Sequence, residues 1–287
     1  MKNTTCAICN TNINSRILYP ANFDILKINE KTFSARRIPD RIHYRINKCD
    51  KCGLVYSSPI MEEREINGLY KKSNVTYKKE TKYLQETYGK YFQKITNKTG
   101  KIENLLEIGC GNGFFLEKAL KMGVKNVFGV EPGKESVDSV QSDIKKNIIT
   151  DIFRKDQFKN NFFDAIVMLQ TLDHLIDPNA ILNECFNILK PGGVIMIIVH
   201  DTKGLSVKLF GEKSPIFDIE HIYLFNKDTL KKILEKNNFK IRETFSVANT
   251  YPLSYWLRMA PLPFKNSGLN FLLTIPAGNI GIIAEKG

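Results

Sequence analysis

One stretch, LLEIGCGNGFF at residues 105–115, constrains the fold of this chain more than any other. The apolar run at 105–108 has the length and character of a buried strand. Glycines follow at 109, 111 and 113, and then an apolar helical pattern of Phe114, Phe115, Leu116, Ala119 and Leu120. Strand, glycine loop and helix is the layout of a nucleotide site, because glycines admit close backbone approach and a helix start offers free N–H groups. The spacing argues against a dinucleotide: G-x-G-x-x-G needs glycine at 114, which is phenylalanine. Glu107 at the loop entrance agrees, since a carboxylate repels phosphate and attracts an amine.

From this strand onward the chain alternates strand and helix. Candidate strands are 105–108, 127–130, 148–149, 165–169, 194–199, 239–245 and 280–284, with helices such as 179–189 and 227–236 between them and Asn226 as a cap for the second. Such alternation predicts an α/β fold, a seven-stranded Rossmann-like doubly wound sheet with helices on both faces. The last strand follows no helix and is expected to insert antiparallel. In front, Leu84, Tyr88, Tyr91, Phe92 and Ile95 fall at helical spacing, so a helical connector over 61–100 packs an aromatic face on the core of a domain spanning 101–287. Base stacking by those tyrosines is the alternative to core packing.

Ligands of open α/β sheets sit beyond the carboxyl ends of the strands. Gly109, Gly111 and Gly113 follow the first strand of the alternating region. Glu131 ends the second, twenty residues past Gly111, where a carboxylate can accept both hydroxyls of a ribose. Asp151 follows the third, positioned for an adenine amine; Gln170, Thr171, Asp173 and His174 follow the fourth. A turn-forming LKPGG precedes the fifth, which ends at His200-Asp201.

The first 60 residues carry a second signal. Cys6, Cys9, Cys49 and Cys52 form C-x-x-C twice, in CAIC and CDKC, and each pair presents two sulfurs at the bite of a Zn²⁺ ion. Residues 1–60 are therefore read as a small zinc-ribbon-like domain whose four thiolates close the shell and leave no position for catalysis. Cys110 and Cys185 are read as packed thiols. Of the net charge of +12, residues 1–100 hold +10, from 19 Lys and Arg against 9 Asp and Glu. A solvated lysine face explains this as well as a phosphate-bearing partner does. The segment MKNTTCAICN has no apolar signal core, and no apolar stretch is long enough to span a bilayer, so a cytoplasmic protein is expected.

Together these residues resemble the class I S-adenosylmethionine-dependent methyltransferases. EIGCGNG matches their first motif, GVEPG their second-strand acid, and FDAIVMLQTLDHLIDP with ILKPGG their later motifs, a resemblance spanning 101–287. It implies that Gly109, Cys110, Gly111 and Gly113 shape the loop around S-adenosylmethionine, that Glu107 assists at its amino acid end, and that Glu131 and Pro132 hold the ribose. It also implies that Asp151 and Ile152 flank adenine and that Gln170 sits near the methionyl group. Four-cysteine zinc domains precede this fold in methyltransferases of sugar and polysaccharide biosynthesis. SPIFDIEHIYLFNKDTL is similar to their segment after the fifth strand, which makes Glu220 and His221 substrate-facing, with His221 as the base and His174 as a second pocket histidine. Nucleotide-sugar C-methyltransferases carry a tyrosine where this chain has Asp218, and an extra C-terminal domain where this chain ends on its last strand. O-methylation of a sugar or glycan-precursor hydroxyl, or of another small molecule, is therefore the expected activity.

Methyl transfer to a hydroxyl needs a proton acceptor, which histidine suits near neutral pH. Of the four histidines, His43 lies in the cysteine stretch and is expected to be structural or at the surface; His200 ends a strand in the right region, with bonding to backbone only as the alternative to a pocket role. The apolar segment 250–277 reads as an insertion packing on the sheet, as a dimer face, or as a lid or membrane-touching surface. Oligomeric state is left open. Rival readings are an rRNA methyltransferase using the basic zinc module, a nucleotide-sugar C-methyltransferase, and a scaffold that binds cofactor without turnover.

Overall fold

In a computed structural model of the protein, residues 1–24, 28, 33, 40–73, 80–140, 143–260 and 271–287 are described. Strands β1 (Ser15–Tyr19), β2 (Ile46–Cys49) and β3 (Val55–Ser57) form an antiparallel meander around the cysteines. Two helices follow, α1 (Glu63–Lys71) and α2 (Thr81–Thr99). A capping box starts α1: the Glu62 side chain accepts from the backbone of Glu65, and the Glu65 carboxylate accepts from Glu62 N–H at 3.0 Å. The aromatic stripe of α2 is core. Tyr88, Tyr91 and Phe92 are buried, and Tyr91 stacks on Phe245 with ring centroids 5.1 Å apart, which answers the base-stacking alternative for these rings.

The strand–glycine–helix signal folds as β4 (Asn104–Ile108) into α3 (Phe114–Lys121). Then come β5 (Asn126–Val130), α4 (Lys134–Asp138), β6 (Ile148–Ile149), β7 (Phe163–Leu169), α5 (Pro178–Ile188), β8 (Leu189–His200) and α6 (Leu205–Phe210). After them come β9 (Tyr223–Leu224), α7 (Lys227–Lys236), β10 (Phe239–Pro252), α8 (Leu253–Met259) and β11 (Leu272–Lys286). Asp177 caps α5 by accepting from Ala180 N–H at 3.0 Å, with Pro178 at the first helical position. Asn226 caps α7, accepting from Asp228 and Thr229 N–H at 2.9 and 3.1 Å.

The larger sheet has seven strands in the order β10-β11-β8-β7-β4-β5-β6. β6, β5, β4, β7 and β8 pair in parallel, and β11 inserts antiparallel to both β8 and β10. Its strands are apolar on both faces: Leu105, Leu106, Ala165, Ile166, Val167, Ile195, Ile197 and Ile198 are all buried, as a sheet covered on two sides requires. The order runs outward from β4 in both directions, so the crevice at its carboxyl edge is a switch point for a ligand.

Three local features appear only in the structure. LKPGG lies within β8 as a wide bulge: Leu189 pairs with Phe163 and Val194 with Ala165, so Asp164 alone opposes Lys190–Gly193. The apolar segment 250–277 extends the sheet at both ends, since β10 continues to Pro252 and β11 starts at Leu272. Residues 261–270 of that segment lie outside the described residues. Finally, the N-terminal meander is not closed on itself. β3 pairs with β9, Val55 opposite Leu224 and Tyr56 opposite Tyr223, so a strand from beyond residue 200 completes its sheet.

Candidate active site

A cavity of about 1730 Å³ runs along the carboxyl edge of the large sheet and is lined by Gly109, Gly111, Glu131, Gln170, His174, His200 and His221, among others. It has two chemically distinct ends.

The first end is built by β4, β5, β6 and β7. Gly109 and Gly111 both take positive φ, +75° and +54°, so the chain turns back on itself directly above β4. A Cβ at Gly109 would stand 2.5 Å from Thr171 Oγ1, so Thr171 packs too closely against that turn for any side chain there. Glu131, at the end of β5, steadies the loop: its carboxylate accepts from Gly111 N–H at 2.9 Å and from Gly133 N–H at 2.8 Å. Enclosure pushes its carboxyl pKa up, against the pull of those two N–H bonds. Glu107 is buried within β4, and its Oε2 has no hydrogen-bond partner among the described residues. Burial first, and the charge of Glu131 second, raise its pKa well above the usual carboxylate range. Gln170 takes φ +59°, and its buried Oε1 is likewise without a partner.

Cys110 and Gly113, assigned here from sequence, do not line the cavity, and neither does Glu107. Cys110 faces away from the cavity, its Sγ 2.6 Å from where a Cβ at Gly129 would stand. Gly113 serves as the left-handed start of α3, with Ile144 filling the space beside it. Pro132, Asp151 and Ile152 line the cavity, but Asp151 is already engaged. It accepts from Ile152 N–H at 2.9 Å, which is the main reason its pKa is lowered, and pairs with Lys71 at 3.3 Å and Arg154 at 2.7 Å.

The second end gathers three of the four histidines. His174 follows β7, His200 ends β8, and His221 lies just before β9; the His221 ring centroid is 4.8 Å from that of His174 and 4.6 Å from that of His200. Asp173 lies among them with no exposed surface, its Oδ2 2.7 Å from His200 Nδ1 and its Oδ1 3.8 Å from His174 Nε2. Burial pushes the Asp173 carboxyl up, but the His200 bond and the charges of the three histidines outweigh it and hold the pKa below the usual range. His221 Nδ1 lies 2.7 Å from Ile216 O, and burial lowers its pKa. Tyr70 from α1 brings its Oη to 3.0 Å from His174 Nδ1. Glu220 and Asp218 also line this end, and Asp218 Oδ2 accepts from Asp40 N–H at 3.2 Å. Tyr251, Tyr255 and Trp256 form an aromatic wall, with Tyr251 and Tyr255 stacked at 4.0 Å.

Asp173, His200 and Tyr70 gain their importance only here. The sequence put Asp173 and His200 at strand ends but held no sign that they bond each other, because 27 residues separate them. His43 is fully buried and ties the N-terminal meander to the segment after α6, with Nε2 3.2 Å from Glu212 Oε1.

The four N-terminal cysteines form no disulfide, and their sulfurs lie within 4.8 Å of one another. Cys6 and Cys52 are 3.3 Å apart and Cys9 and Cys49 are 3.9 Å apart. A tetrahedral Zn–S₄ unit with bonds of about 2.3 Å needs sulfurs roughly 3.8 Å apart, so the donors fit that ion. Cys9 N–H and Leu54 N–H donate to Cys6 and Cys52 sulfur at 3.4 and 3.5 Å, the support that thiolates receive in such knuckles.

Comparison with known proteins adds a family. A family model described as a methyltransferase domain matches residues 81–244. Human mitochondrial ubiquinone biosynthesis O-methyltransferase is 26% identical over 168 residues, covering 53% of this chain and 45% of that protein. A Mycolicibacterium smegmatis protein named as an S-adenosylmethionine-dependent methyltransferase is 24% identical over 194 residues, covering 66% of this chain and 68% of its own length. The chain spans about half the length of the first curated relatives it matches. Among solved structures, a Bacillus halodurans chain described as a methyltransferase superposes with a TM-score of 0.51 at 15% identity, covering 69% of this chain and 98% of that one. That likeness concerns the fold alone. Among the described residues, no helix is long and apolar enough to cross a membrane.

Proposed function

The chain belongs to the methyltransferase-domain family, and from that premise we propose that it transfers a methyl group from S-adenosylmethionine to a hydroxyl of a small molecule. The observation that carries this reading is a cavity with a glycine turn that tolerates no Cβ at one end and three histidines at the other, with a buried carboxylate oxygen on Glu107, unpartnered among the described residues, two residues before that turn. An orphaned buried acceptor is costly unless a ligand donor meets it. The cofactor's α-amine is such a donor for Glu107. Gln170 Oε1 is a second orphaned acceptor near the methionyl end. Glu131 holds the loop through Gly111 and Gly133 and keeps lone pairs for ribose hydroxyls. Gly109, Gly111, Pro132 and Ile152 supply the remaining walls, with Asp151 fixing the edge of the adenine side.

When bound, the cofactor supplies an electrophilic methyl on sulfur, and the rest of the chemistry is alignment and proton removal. His174, Glu220 and His221 line the acceptor end, where they contact and orient the hydroxyl. The four cysteines hold a structural Zn²⁺ that steadies the meander and, through β3 and β9, the backbone of His221.

For the acceptor, the IEHIYLF segment and the cysteine module in front support a sugar or glycan-precursor hydroxyl. The aromatic wall of Tyr251, Tyr255 and Trp256 supports a second reading, a phenolic hydroxyl on an apolar molecule. The ubiquinone-biosynthesis relatives are named O-methyltransferases. Calorimetric titration of the zinc-loaded full-length chain with S-adenosylmethionine and S-adenosylhomocysteine tests the cofactor. Labelled methyl transfer into fractionated sugar, phenol and RNA extracts tests the acceptor. Absence of binding heat, or label appearing only in RNA, sinks the proposal.

A further inference from the structure

We infer that His200, held by Asp173, is the group that takes the acceptor's proton, and that His221 orients the acceptor as a neutral imidazole. This rests on the methyltransferase reading above and assigns the base within it. All three imidazoles at the acceptor end have Nδ1 already committed; that of His174 lies 3.0 Å from Tyr70 Oη, and its Nε2 faces Asp173 Oδ1 at 3.8 Å. His221 has Nδ1 at 2.7 Å from the Ile216 carbonyl, so Nδ1 donates there and Nε2 carries the lone pair. His200 has Nδ1 at 2.7 Å from Asp173 Oδ2, which leaves Nε2 as the nitrogen that faces the cavity His200 lines.

The two differ in what happens when a proton arrives. A proton on His221 creates an imidazolium whose Nδ1 partner is a neutral carbonyl, next to another imidazole ring 4.6 Å away. A proton on His200 creates an imidazolium bonded directly to a carboxylate with no exposed surface. Charge-assisted bonds in such an enclosed place are about twice as strong as neutral ones. Asp173 forms no ion pair with lysine or arginine among the described residues; only His174 and His200 pair with it. Its charge is therefore available to an incoming proton. Asp173 has one oxygen with no hydrogen bond, facing His174 Nε2 at 3.8 Å, so the carboxylate serves both rings without being consumed by either. The other titratable groups at this end of the cavity include His174 and His221, Tyr70 from α1, and Asp218 and Glu220 before β9, with Asp201 next to His200 in the chain. The hydrogen bond at His200 Nδ1 is with Asp173.

The step balances as follows. The acceptor O–H proton passes to His200 Nε2 as the oxygen lone pair forms the bond to the methyl carbon. The carbon–sulfur pair returns to sulfur, leaving a neutral thioether, and the imidazolium later releases its proton to solvent. Asp173 is a positioning residue that keeps its negative charge throughout.

The test is imidazole nitrogen NMR on the full-length, zinc-loaded chain with S-adenosylhomocysteine bound, using H200Q and H221Q to assign signals. The expected spectrum puts the neutral His200 proton on Nδ1, and D173N redistributes it toward Nε2 without changing His221. A His200 proton on Nε2 in the parent chain, or a D173N spectrum unchanged at His200, overturns the assignment. So does a second bound metal ion beyond the cysteine zinc that disappears in H200Q. Labelled methyl transfer into a small-molecule extract gives the second readout. H200Q and D173N should lose about 10²–10⁴-fold in turnover with cofactor affinity retained, and full turnover by either overturns it. Calorimetry on the same samples separates this from failure of the cofactor reading, because the histidine spectrum can be read whether or not methyl is transferred.

Discussion

Ser57 of the cysteine meander donates its hydroxyl to the carbonyl of His221, 2.9 Å away and 164 residues further along the chain. Ser57 N–H also donates to Ile222 O at 2.8 Å, and Ile222 N–H donates to the Asp173 carbonyl at 2.8 Å. The segment carrying His221 is thus pinned between the N-terminal module and the turn that carries Asp173. Replacing Ser57 by alanine leaves a buried carbonyl short of a donor, at a cost of about 1–3 kcal/mol. Thermal unfolding of S57A should register that loss, with cofactor affinity changed by less than about threefold.

Removing the ion proposed for the cysteines acts through the same link. In C49S, or after strong chelation, Cys49 no longer anchors β2, and β3 and β9 loosen with it. Turnover should fall while S-adenosylhomocysteine still binds, because Gly109, Gly111 and Glu131 belong to the other end of the cavity. Calorimetry and methyl transfer on the same preparation separate the two. Unchanged turnover after complete zinc loss, verified by metal analysis, refutes the link.

Glu131 holds two backbone N–H groups of the cofactor loop. Glu131→Ala releases both and removes the ribose acceptor. Bonds to charged groups contribute about 1.5–3 kcal/mol each, so cofactor affinity should drop at least about tenfold. Titration with S-adenosylhomocysteine measures this directly, and an affinity equal to that of the parent chain refutes the assignment.

Glu107 predicts a conflict between stability and function. Its folded-state pKa is raised, so above its unfolded value the unfolded chain ionises while the folded chain resists. Stability from this group is full below about pH 4.3 and is lost as pH rises from there through the folded value. Glu107→Gln should therefore raise the melting temperature of the cofactor-free protein near neutral pH and weaken cofactor binding. A lower melting temperature with tighter binding is the contrary result.

Acid stability should follow the histidine cluster. The folded pKa of His221 is lowered by burial, so its contribution is present above the unfolded value near 6.5 and is lost as pH falls through the folded one. Asp173 is also lowered, so its contribution persists to more acidic pH and is lost below the usual carboxylate range. Denaturant melts should show a first decline beginning near pH 6.5 that is absent in both H221F and H221Q, neither of which carries a group that titrates there at position 221.

The residues 105–115 determined much of this protein unaided. A glycine triplet between an apolar strand and an apolar helix has few ways to fold, and the alternation after it admits one sheet architecture. The paired C-x-x-C motifs likewise brought four sulfurs together, because two intervening residues set a local turn. What the sequence left open was long-range. No local pattern says that β9 completes the meander, since Tyr223 and Leu224 read equally well in either sheet. Nor does any pattern say that His200 meets Asp173, because the bond exists only once β7 and β8 lie side by side and their ends converge. Local propensity and periodicity are written along the chain, whereas a proton's path depends on which side chains converge, and that is decided by packing.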